Sequence, residues 1–271
     1  MKYSVSEKVV VITGSSMGIG KSLANLLGRS KAKLVINGRD KKKLLAAHKE
    51  LKNLGYEVIQ FSGDVSQEAD CKNLVTATLQ HFGRIDILIN NAGVSMRGIT
   101  EQLSPEVIST VFKINAIAPI MLTQMVLPHI RQTKGSIVFI SSLAGLRGLP
   151  FIGVYCAAKM ALTAIVESLR IENHSSGIHI GVVHVGYTEI ERGKTAIGAN
   201  GESVNLQERK GFFTATTEQV ARKIIQSILI RRKRTIIGIP GKLYSFLVRC
   251  FPGLVEWMVR RSYQKANKFY Q

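Results

Sequence analysis

The chain has 271 residues, 45% of them hydrophobic, which is enough for one layered hydrophobic core. Its 37 Lys and Arg residues outnumber 18 Asp and Glu, and the formal net charge of +19 predicts an anionic partner such as a lipid surface or an anionic substrate. Nucleic acid is not expected as a partner, because the sequence has neither zinc-finger spacing nor an RNA-recognition motif. Three widely separated cysteines and six scattered histidines argue against a disulfide framework and a metal site, and they favour a reducing compartment.

A strand, a glycine-rich turn and a helix follow one another at the beginning of the chain. The β-branched run of residues 8–13 predicts a buried strand, and residues 21–29 have a helical pattern. Glycines between them permit positive φ and a close approach of the backbone to phosphate, and the helix N-terminus attracts the anion. An ordinary glycine-rich connection is the alternative, but this context favours a dinucleotide site. The residues expected to contact the dinucleotide here are Gly14, Ser16, Met17, Gly18, Ile19 and Gly20.

The end of the second predicted strand, residues 33–37, indicates which dinucleotide binds. An acidic residue there would bind the ribose 2′-hydroxyl of NAD and repel a 2′-phosphate, but the strand continues into Gly38 and Arg39. The Arg39 guanidinium, with Lys43 and the Ser16 hydroxyl, suits a phosphate. The sequence therefore predicts NADP(H) rather than NAD(H). The alternatives are that these cations are solvated charges at a helix start, and that Asp40 reaches the ribose.

Further apolar runs alternate with helical patterns along the rest of the chain. This rhythm predicts one doubly wound α/β domain over residues 1–239, with a parallel sheet of the Rossmann type and helices on both faces. The predicted strands after the second are residues 57–61, 85–90, 136–141, 178–185 and 235–239. Residues 189–217 lack a strand period and are predicted to form a mobile lid over the substrate, with a surface loop as the alternative.

Tyr155 and Lys159 lie four residues apart in a helical pattern, so both can face the same cleft. An ammonium close to a tyrosine lowers the pKa of the phenol from about 10 toward the working range. A serine hydroxyl from Ser142, arriving from another element, could polarise a substrate carbonyl. The pattern predicts a proton-transfer site, although an isolated match of this kind is more often a pair of surface side chains.

Several of these motifs, in this order and at this spacing, resemble the short-chain dehydrogenase/reductases over residues 8–190. The matching residues are Thr13 to Gly20, Asn90-Asn91-Ala92-Gly93, Asn115, Ser142, Tyr155 and Lys159. The resemblance implies that Tyr155 protonates the carbonyl oxygen, Ser142 hydrogen-bonds it, and Lys159 lowers the tyrosine pKa and holds the nicotinamide ribose. It also implies that Asn115 anchors a water of a proton relay, and that the protein is a homo-oligomer.

The same resemblance assigns further cofactor contacts to Asn91, Ala92 and Gly93. Asp64 and Val65 are similar to the pair that contacts the adenine, although capping of the next helix by Asp64 is a structural alternative.

The segment after the sixth strand departs from the family pattern. Val185 occupies the position where the family usually has proline, which bears on the loop geometry more than on activity. Gly186 is retained, and Thr188 is expected to meet the nicotinamide carboxamide. Tyr187 could pack on substrate, and His184 is expected to be a packed residue rather than a catalyst.

Residues 240–271 form a basic, amphipathic and aromatic extension. Arg249 and the Pro252-Gly253 pair interrupt it, so it lacks the ~20 apolar residues of a transmembrane helix. Two short amphipathic helices in contact with anionic lipid are expected, and a helical hairpin beside the substrate cleft or at a dimer contact is the alternative. Because the first strand begins almost at once, no signal peptide is expected. We therefore predict a cytoplasmic protein, with peripheral contact on the cytoplasmic face of a membrane.

These observations predict an NADPH-dependent reductase of a ketone or aldehyde on a lipophilic molecule. Apolar residues between Ser142 and Tyr155 are expected to border the substrate: Leu143, Leu146, Leu149, Pro150, Phe151 and Ile152. A long-chain keto-lipid similar to 3-ketosphinganine is the first candidate, and hydroxysteroid or retinoid dehydrogenases and 3-oxoacyl-thioester reductases are alternatives. A protein that binds NADPH as a sensor, or scaffolds a membrane without turnover, is the alternative of another class.

Overall fold

Ten β-strands form two sheets in the computed structural model, which describes residues 3–189, 194–206 and 214–267. The strands are β1 (Val9–Ile12), β2 (Lys33–Gly38), β3 (Val58–Ser62), β4 (Ile87–Asn90), β5 (Ser95–Met96), β6 (Ser136–Ser142), β7 (His179–Val185), β8 (Thr195–Ile197), β9 (Ser203–Asn205) and β10 (Arg234–Ile236). Seven of them form the main sheet in the order β10-β7-β6-β4-β1-β2-β3, and all neighbours in it are parallel. The predicted doubly wound sheet is confirmed.

Nine α-helices occur in the described residues, and six of them cover the two faces of the main sheet. The nine helices are α1 (Gly18–Arg29), α2 (Lys41–Asn53), α3 (Glu68–Phe82), α4 (Pro105–Phe112), α5 (Ala118–Thr133), α6 (Gly153–Glu172), α7 (Thr217–Leu229), α8 (Ile239–Cys250) and α9 (Pro252–Asn267). Helices α1, α2 and α7 pack on one face, and α3, α5 and α6 on the other. Successive residues of β1 are buried in the two opposite cores, which explains why parallel strands appear in the sequence as continuous apolar runs.

The stretch Pro105–Thr133 is the one candidate for a membrane span by length and hydropathy among the described residues. It comprises α4, a π-helical turn and α5, and 50% of its most apolar window is buried. Leu122 and Val126 pack on the main sheet. Burial against the sheet accounts for its apolar character.

The segment predicted as a lid without strands contains β8 and β9. Strand β8 pairs in parallel with β5 and antiparallel with β9, which makes a small three-stranded sheet. Strands of three residues are too short to show a period in the sequence. The ends of the lid meet, because the Glu189 N–H donates to the Ala215 carbonyl at 3.0 Å, and the Ala215 N–H donates to the Tyr187 carbonyl at 3.0 Å. The parts at 190–193 and 207–213 lie outside the described residues.

The last strand is shorter than predicted. Strand β10 ends at Ile236 rather than at residue 239, and Ile239 already begins α8. Gly238 has a φ of 85°, which ends the extended conformation, and Pro240 lies in the first turn of α8, where its missing N–H is tolerated. Helices α8 and α9 occupy the predicted C-terminal extension and are separated at Phe251.

Asp86 links three central strands at their amino ends, which lie opposite to the cleft. Its side chain is fully buried; it accepts a hydrogen bond from the Val9 N–H at 3.0 Å and two from Arg84, at 2.9 and 2.6 Å. The Lys8 ammonium lies 3.3 Å away. The Asp86 backbone also pairs with Val9 and with Ser136 at the start of β6. Through its side chain and its backbone, Asp86 therefore aligns the first residues of β1, β4 and β6.

We predict that Asp86→Ala lowers the free energy of unfolding by about 2–4 kcal/mol, because it leaves a buried N–H and the Arg84 guanidinium without their acceptor. Lys8→Ala is the matched control: it removes a partly exposed partner and should cost about 1 kcal/mol or less. Urea unfolding followed by circular dichroism measures both. Equal destabilisation by the two variants would contradict the role assigned to Asp86.

Candidate active site

A cleft of about 1330 Å³ runs along the carboxyl ends of the main-sheet strands. Sites for a drug-sized ligand usually measure roughly 300–1,000 Å³, so this cleft has room for a dinucleotide together with a substrate. The residues predicted from the sequence that line it are Gly14, Ser16, Met17, Gly18, Ile19, Arg39, Lys43, Asp64, Val65, Asn91, Ala92, Gly93, Asn115, Ser142, Tyr155, Lys159 and Thr188. Gly20 is the exception among the predicted contacts, since it does not line the cleft.

The glycine turn connects β1 to α1 in a conformation that needs glycine. Gly14 and Gly18 have φ values of 62° and 58°. A Cβ on Gly14 would lie 2.9 Å from the Ala92 Cα, and one on Gly20 would lie 2.3 Å from the Gly14 carbonyl oxygen. Gly20 therefore allows the helix to pack closely on the turn, Gly14 allows the turn to lie against Ala92, and Gly14 and Gly18 supply its two residues with positive φ.

Asn91 joins this turn to the end of β4. Its side-chain amide donates to the Thr13 and Gly14 carbonyl oxygens, each at 2.9 Å. The Thr13 hydroxyl oxygen accepts in return from the Asn91 and Ala92 N–H groups, each at 3.0 Å. The two motifs that the sequence separates by more than 70 residues thus form one wall, shaped for the close approach of a phosphate-bearing ligand.

Cations gather where β2 ends. Arg39 and Lys43 line the cleft, and a Cβ on Gly38 would lie 3.2 Å from the Ser16 hydroxyl oxygen, so Ser16 shares this corner. Asp40 is the N-cap of α2 and accepts from the Lys43 N–H at 3.0 Å. Capping engages this carboxylate with the helix N-terminus.

Asp64 lies across from this corner. Its carboxylate is 3.6 Å from the Arg39 guanidinium and accepts from the Ser66 N–H at 2.9 Å. The alternative that Asp64 caps the next helix is wrong, because Gln67 holds the N-cap position of α3. Asp64 lies three residues before this N-cap, in the turn that contains Ser66, and Val65 next to it is buried beside the cleft.

Asn115 lies in a π-helical turn (Lys113–Ile117) between α4 and α5. Its side-chain amide donates to the Val94 and Val111 carbonyl oxygens, each at 3.0 Å, and its Oδ1 accepts from the Val94 N–H at 3.2 Å. A Cβ on Gly93 would lie 2.8 Å from that Oδ1 and 3.4 Å from the Lys159 ammonium. Glycine at 93 therefore lets Asn115 and Lys159 converge on the same point of the cleft.

Lys159 is buried, and its ammonium donates to the Ile140 carbonyl at 3.0 Å. Burial lowers the pKa of this ammonium to about 8. The same ammonium lies 5.9 Å from the centre of the Tyr155 ring, one helical turn earlier on α6. The structure therefore places both side chains on the cleft face of α6, as their spacing in the sequence predicted.

The carboxyl end of β6 carries the serine pair. Ser141 is buried, and its hydroxyl donates to the Lys159 carbonyl at 3.2 Å. Ser142 is half-buried in the cleft wall, and its hydroxyl oxygen accepts from the Ala144 N–H at 3.2 Å. Both serines line the cleft, but the Ser141 hydroxyl is buried and bonded to the α6 backbone, whereas the more exposed Ser142 hydroxyl keeps its proton available for a ligand.

Strand β7 ends beside this serine. Val185, at the position of the family proline, pairs in register with Ser142. The Thr188 hydroxyl donates to the Gly186 carbonyl at 3.2 Å, and Thr188 also forms a bridge with Ala215. Extended pairing thus continues to Val185 without proline.

The substrate side of the cleft has an apolar wall. Of the six residues expected there, Leu143, Leu149, Pro150, Phe151 and Ile152 line the cleft, and Leu146 does not. Tyr187, suggested from the sequence as a substrate contact, also lines the cleft. The cleft lining further includes residues that the sequence did not indicate: Arg97, Tyr244, Val259, Ser262 and Tyr263.

The C-terminal helices form part of this wall, as the alternative of a hairpin beside the cleft proposed. Arg147 donates to the Pro252 carbonyl at 3.0 Å and to the Glu256 carboxylate at 3.1 Å, and the Phe151 and Tyr263 rings lie 5.4 Å apart. The amphipathic pattern of residues 240–271 predicted these helices, but nothing in the sequence indicated which residues their cleft-facing sides contact.

Metal-binding side chains do not gather at the site. Within residues 3–189, 194–206 and 214–267, no three His, Cys, Asp or Glu residues come close enough together to hold a metal ion. Cys71 and Cys156 are buried and Cys250 is exposed, and none of the three forms a disulfide.

Comparisons with known proteins agree with this geometry. The family model described as short chain dehydrogenase matches residues 8–198. An 11-beta-hydroxysteroid dehydrogenase-like 4A of Arabidopsis thaliana is 40% identical over 243 residues, covering 88% of this chain and 78% of that protein. A dehydrogenase/reductase SDR family member 7B of Danio rerio is 30% identical over 253 residues, covering 91% of this chain and 82% of that protein.

A solved short-chain dehydrogenase/reductase of Burkholderia phymatum, in complex with NAD, has the same fold. The TM-score is 0.83 at 24% identity, covering 93% of this chain and 96% of that chain. A metagenomic short-chain oxidoreductase in complex with NADP gives a TM-score of 0.70 at 25% identity, covering 87% of this chain and 98% of that chain. With its sheet, glycine turn and cleft, the chain belongs to the short-chain dehydrogenase/reductase family of oxidoreductases, which act on CH–OH and C=O groups.

Proposed function

We propose that this protein is an NADPH-dependent carbonyl reductase whose substrate is a lipophilic ketone or aldehyde. The observation that carries the proposal is the buried Lys159 ammonium close to Tyr155, in a cleft that continues to the glycine turn. The reaction is reversible, so oxidation of the corresponding alcohol belongs to the same proposal.

In this proposal Tyr155 donates the proton. A nicotinamide bound in the cleft would supply a hydride for the carbonyl carbon, and the Tyr155 phenol would give its proton to the carbonyl oxygen. The Ser142 hydroxyl donates a hydrogen bond to that oxygen, which stabilises the charge that develops on it. Lys159 stabilises the resulting phenolate and binds the ribose, and Asn115 positions a water through which the proton of Tyr155 is replaced.

The corner at the end of β2 supports NADP(H). Arg39 is held beside the cleft by Asp64, at 3.6 Å, so its guanidinium is partly oriented before a ligand binds. Lys43 and Ser16 face the same corner, and Asp40 is engaged in capping α2. A 2′-phosphate would meet two cations and a hydroxyl there. Asp40 also lines this corner, but its carboxylate already accepts from the Lys43 N–H, so it is less suited to bind the 2′-hydroxyl of NAD.

The apolar wall supports a lipophilic substrate. Leucine, proline, isoleucine and aromatic side chains border the cleft next to Ser142 and Tyr155. The Arabidopsis relative has a name that refers to hydroxysteroids, which favours a ketosteroid-like substrate beside a long-chain keto-lipid. Retinal and a 3-oxoacyl thioester complete the set of carbonyl compounds to be compared.

We predict that Tyr155→Phe lowers kcat/KM for carbonyl reduction by about 10²–10⁴-fold, because it removes the proton donor and keeps the ring. NADPH oxidation with detergent-solubilised protein, offered 3-ketosphinganine, a ketosteroid, retinal and a 3-oxoacyl thioester, measures the effect. Tyr56→Phe is the control, since Tyr56 bonds Asn25 away from the cleft.

Two results would count against this assignment. Turnover by Tyr155→Phe equal to that of Tyr56→Phe would exclude Tyr155 as the proton donor. Tight NADPH binding by the wild type with no turnover on any of the four compounds would favour the sensor or scaffold alternative.

We predict that Arg39→Ala lowers kcat/KM for NADPH by about 10- to 100-fold and leaves kcat/KM for NADH nearly unchanged, because a charge-assisted bond to the 2′-phosphate is lost. Lys41→Ala removes a neighbouring exposed cation that does not line the cleft, so it controls for overall charge. An equal decrease of kcat/KM with NADPH and with NADH would show that Arg39 does not bind the 2′-phosphate.

We further propose that the C-terminal helices contact anionic lipid and that the protein is a homo-oligomer. The outer surface of α8 and α9 exposes apolar side chains, namely Ile239, Leu243, Phe246, Phe251, Leu254, Trp257 and Met258. Lys242, Arg249, Arg260 and Arg261 are exposed on the same two helices. Aromatic and aliphatic side chains fringed by cations suit a membrane interface on the cytoplasmic face.

We predict that the wild type floats with vesicles that contain phosphatidylserine, and that Leu254→Glu combined with Trp257→Glu abolishes flotation. Ile171→Glu is the control, because Ile171 is 74% exposed on α6 and lies outside this surface. Loss of flotation in both would indicate a nonspecific effect of charge. A change from oligomer to monomer without any change in flotation would assign the surface to a second copy of the chain.

A further inference from the structure

His184 lies fully buried in β7, beside the carboxyl end of β6. Its Nδ1 is 3.1 Å from the Ser142 carbonyl oxygen, although the two residues are 42 apart in the chain. The sheet register places His184 opposite Ser141, and Val185 opposite Ser142. The ring therefore reaches the residue at which β6 ends and the chain turns into the cleft wall.

The chemistry of this contact determines the state of the ring. A carbonyl oxygen can only accept, so Nδ1 carries the hydrogen and donates it. Burial, opposed by this hydrogen bond and assisted by Arg234, lowers the pKa of the imidazole to about 4, so the ring is neutral at physiological pH. Nε2 then carries a lone pair, and it has no hydrogen-bond partner in the described part of the chain.

A buried nitrogen without a partner makes imidazole a poor choice for packing alone. Leucine or phenylalanine would fill this space without leaving a polar atom unsatisfied. The feature that imidazole offers and a hydrocarbon lacks is the Nδ1–H directed at Ser142.

We propose that His184 is a positioning residue for the proton-transfer site: by holding the Ser142 carbonyl, it sets the position of the Ser142 hydroxyl relative to Tyr155. This proposal rests on the proposed function only for its effect on rate. The Ser142 hydroxyl oxygen accepts from the Ala144 N–H at 3.2 Å, so displacement of Ser142 also loosens the turn Leu143–Gly145.

Strand β7 supplies a matched control in its other buried histidine. His179 lies at the opposite end of the strand, and both its nitrogens have partners: Nδ1 is 2.6 Å from the Ser136 hydroxyl oxygen, and Nε2 is 3.0 Å from the Arg232 carbonyl oxygen. It lies outside the cleft lining. Replacing it removes a buried imidazole from the same strand without touching the site.

The experiment compares His184→Leu, His184→Asn and His179→Leu. Asparagine keeps an N–H donor near the position of Nδ1, and leucine does not. We expect His184→Leu to lower kcat about 10- to 100-fold with little change in the Kd of NADPH, because a small displacement of a catalytic group costs rate more than binding. His184→Asn should restore most of kcat, and His179→Leu should keep kcat while lowering Tm.

Hydrogen exchange at the amides of residues 143–145 provides a readout that is independent of turnover. We expect faster exchange there in His184→Leu, and wild-type exchange in His184→Asn and His179→Leu. Equal kcat and equal exchange in His184→Leu and His179→Leu, or failure of asparagine to restore either quantity, would overturn the proposal. If the wild type has no reductase activity, the proposed function fails, and exchange alone decides the role of His184.

Discussion

The burial of the Lys159 ammonium is the constraint on which the active site depends. A charged group in a low-dielectric environment needs a polar partner, and the Ile140 carbonyl supplies one at 3.0 Å. That contact requires α6 to begin directly against the end of β6. Gly145 makes this possible, because a Cβ there would lie 2.6 Å from the Ser141 hydroxyl oxygen and 2.9 Å from the Lys159 carbonyl oxygen. The Lys159 ammonium can therefore reach its partner only if α6 packs closely on the end of β6.

The last three residues of β6 each make a different contact at the active site. The Ile140 carbonyl accepts from the Lys159 ammonium, the Ser141 hydroxyl donates to the α6 backbone, and the Ser142 hydroxyl is the most exposed of the three groups in the cleft wall. The other side of the site is built in the same way, since Asn91 and Thr13 bond the glycine turn to the end of β4. Side chains that are tied to neighbouring backbone lose little further freedom when a ligand binds, so this floor of the cleft is preorganised.

The wall opposite this floor comes from segments that follow the sixth strand of the main sheet. Lid strand β8 pairs with β5, and α9 packs against the loop between Ser142 and Tyr155 through Arg147 and Phe151. Helix α8 approaches the same loop at Gly241, where a Cβ would lie 3.2 Å from the Leu143 side chain. One pair of helices thus has an inner face on the substrate side of the cleft and an outer face with exposed apolar and basic residues. Any partner that holds the outer face also restrains the substrate wall.

The sequence by itself determined the sheet, the glycine turn and the Tyr155–Lys159 face, because each depends on a pattern within one element or between adjacent elements. Tertiary structure decided what depends on contacts between distant segments. It gave Gly20 a packing role, moved the N-cap of α3 from Asp64 to Gln67, and ended β10 at Ile236. It also paired β8 with β5 and brought the C-terminal helices to the cleft. His184 shows the reason most directly: its partner Ser142 lies 42 residues away, and only the register of two parallel strands brings them together.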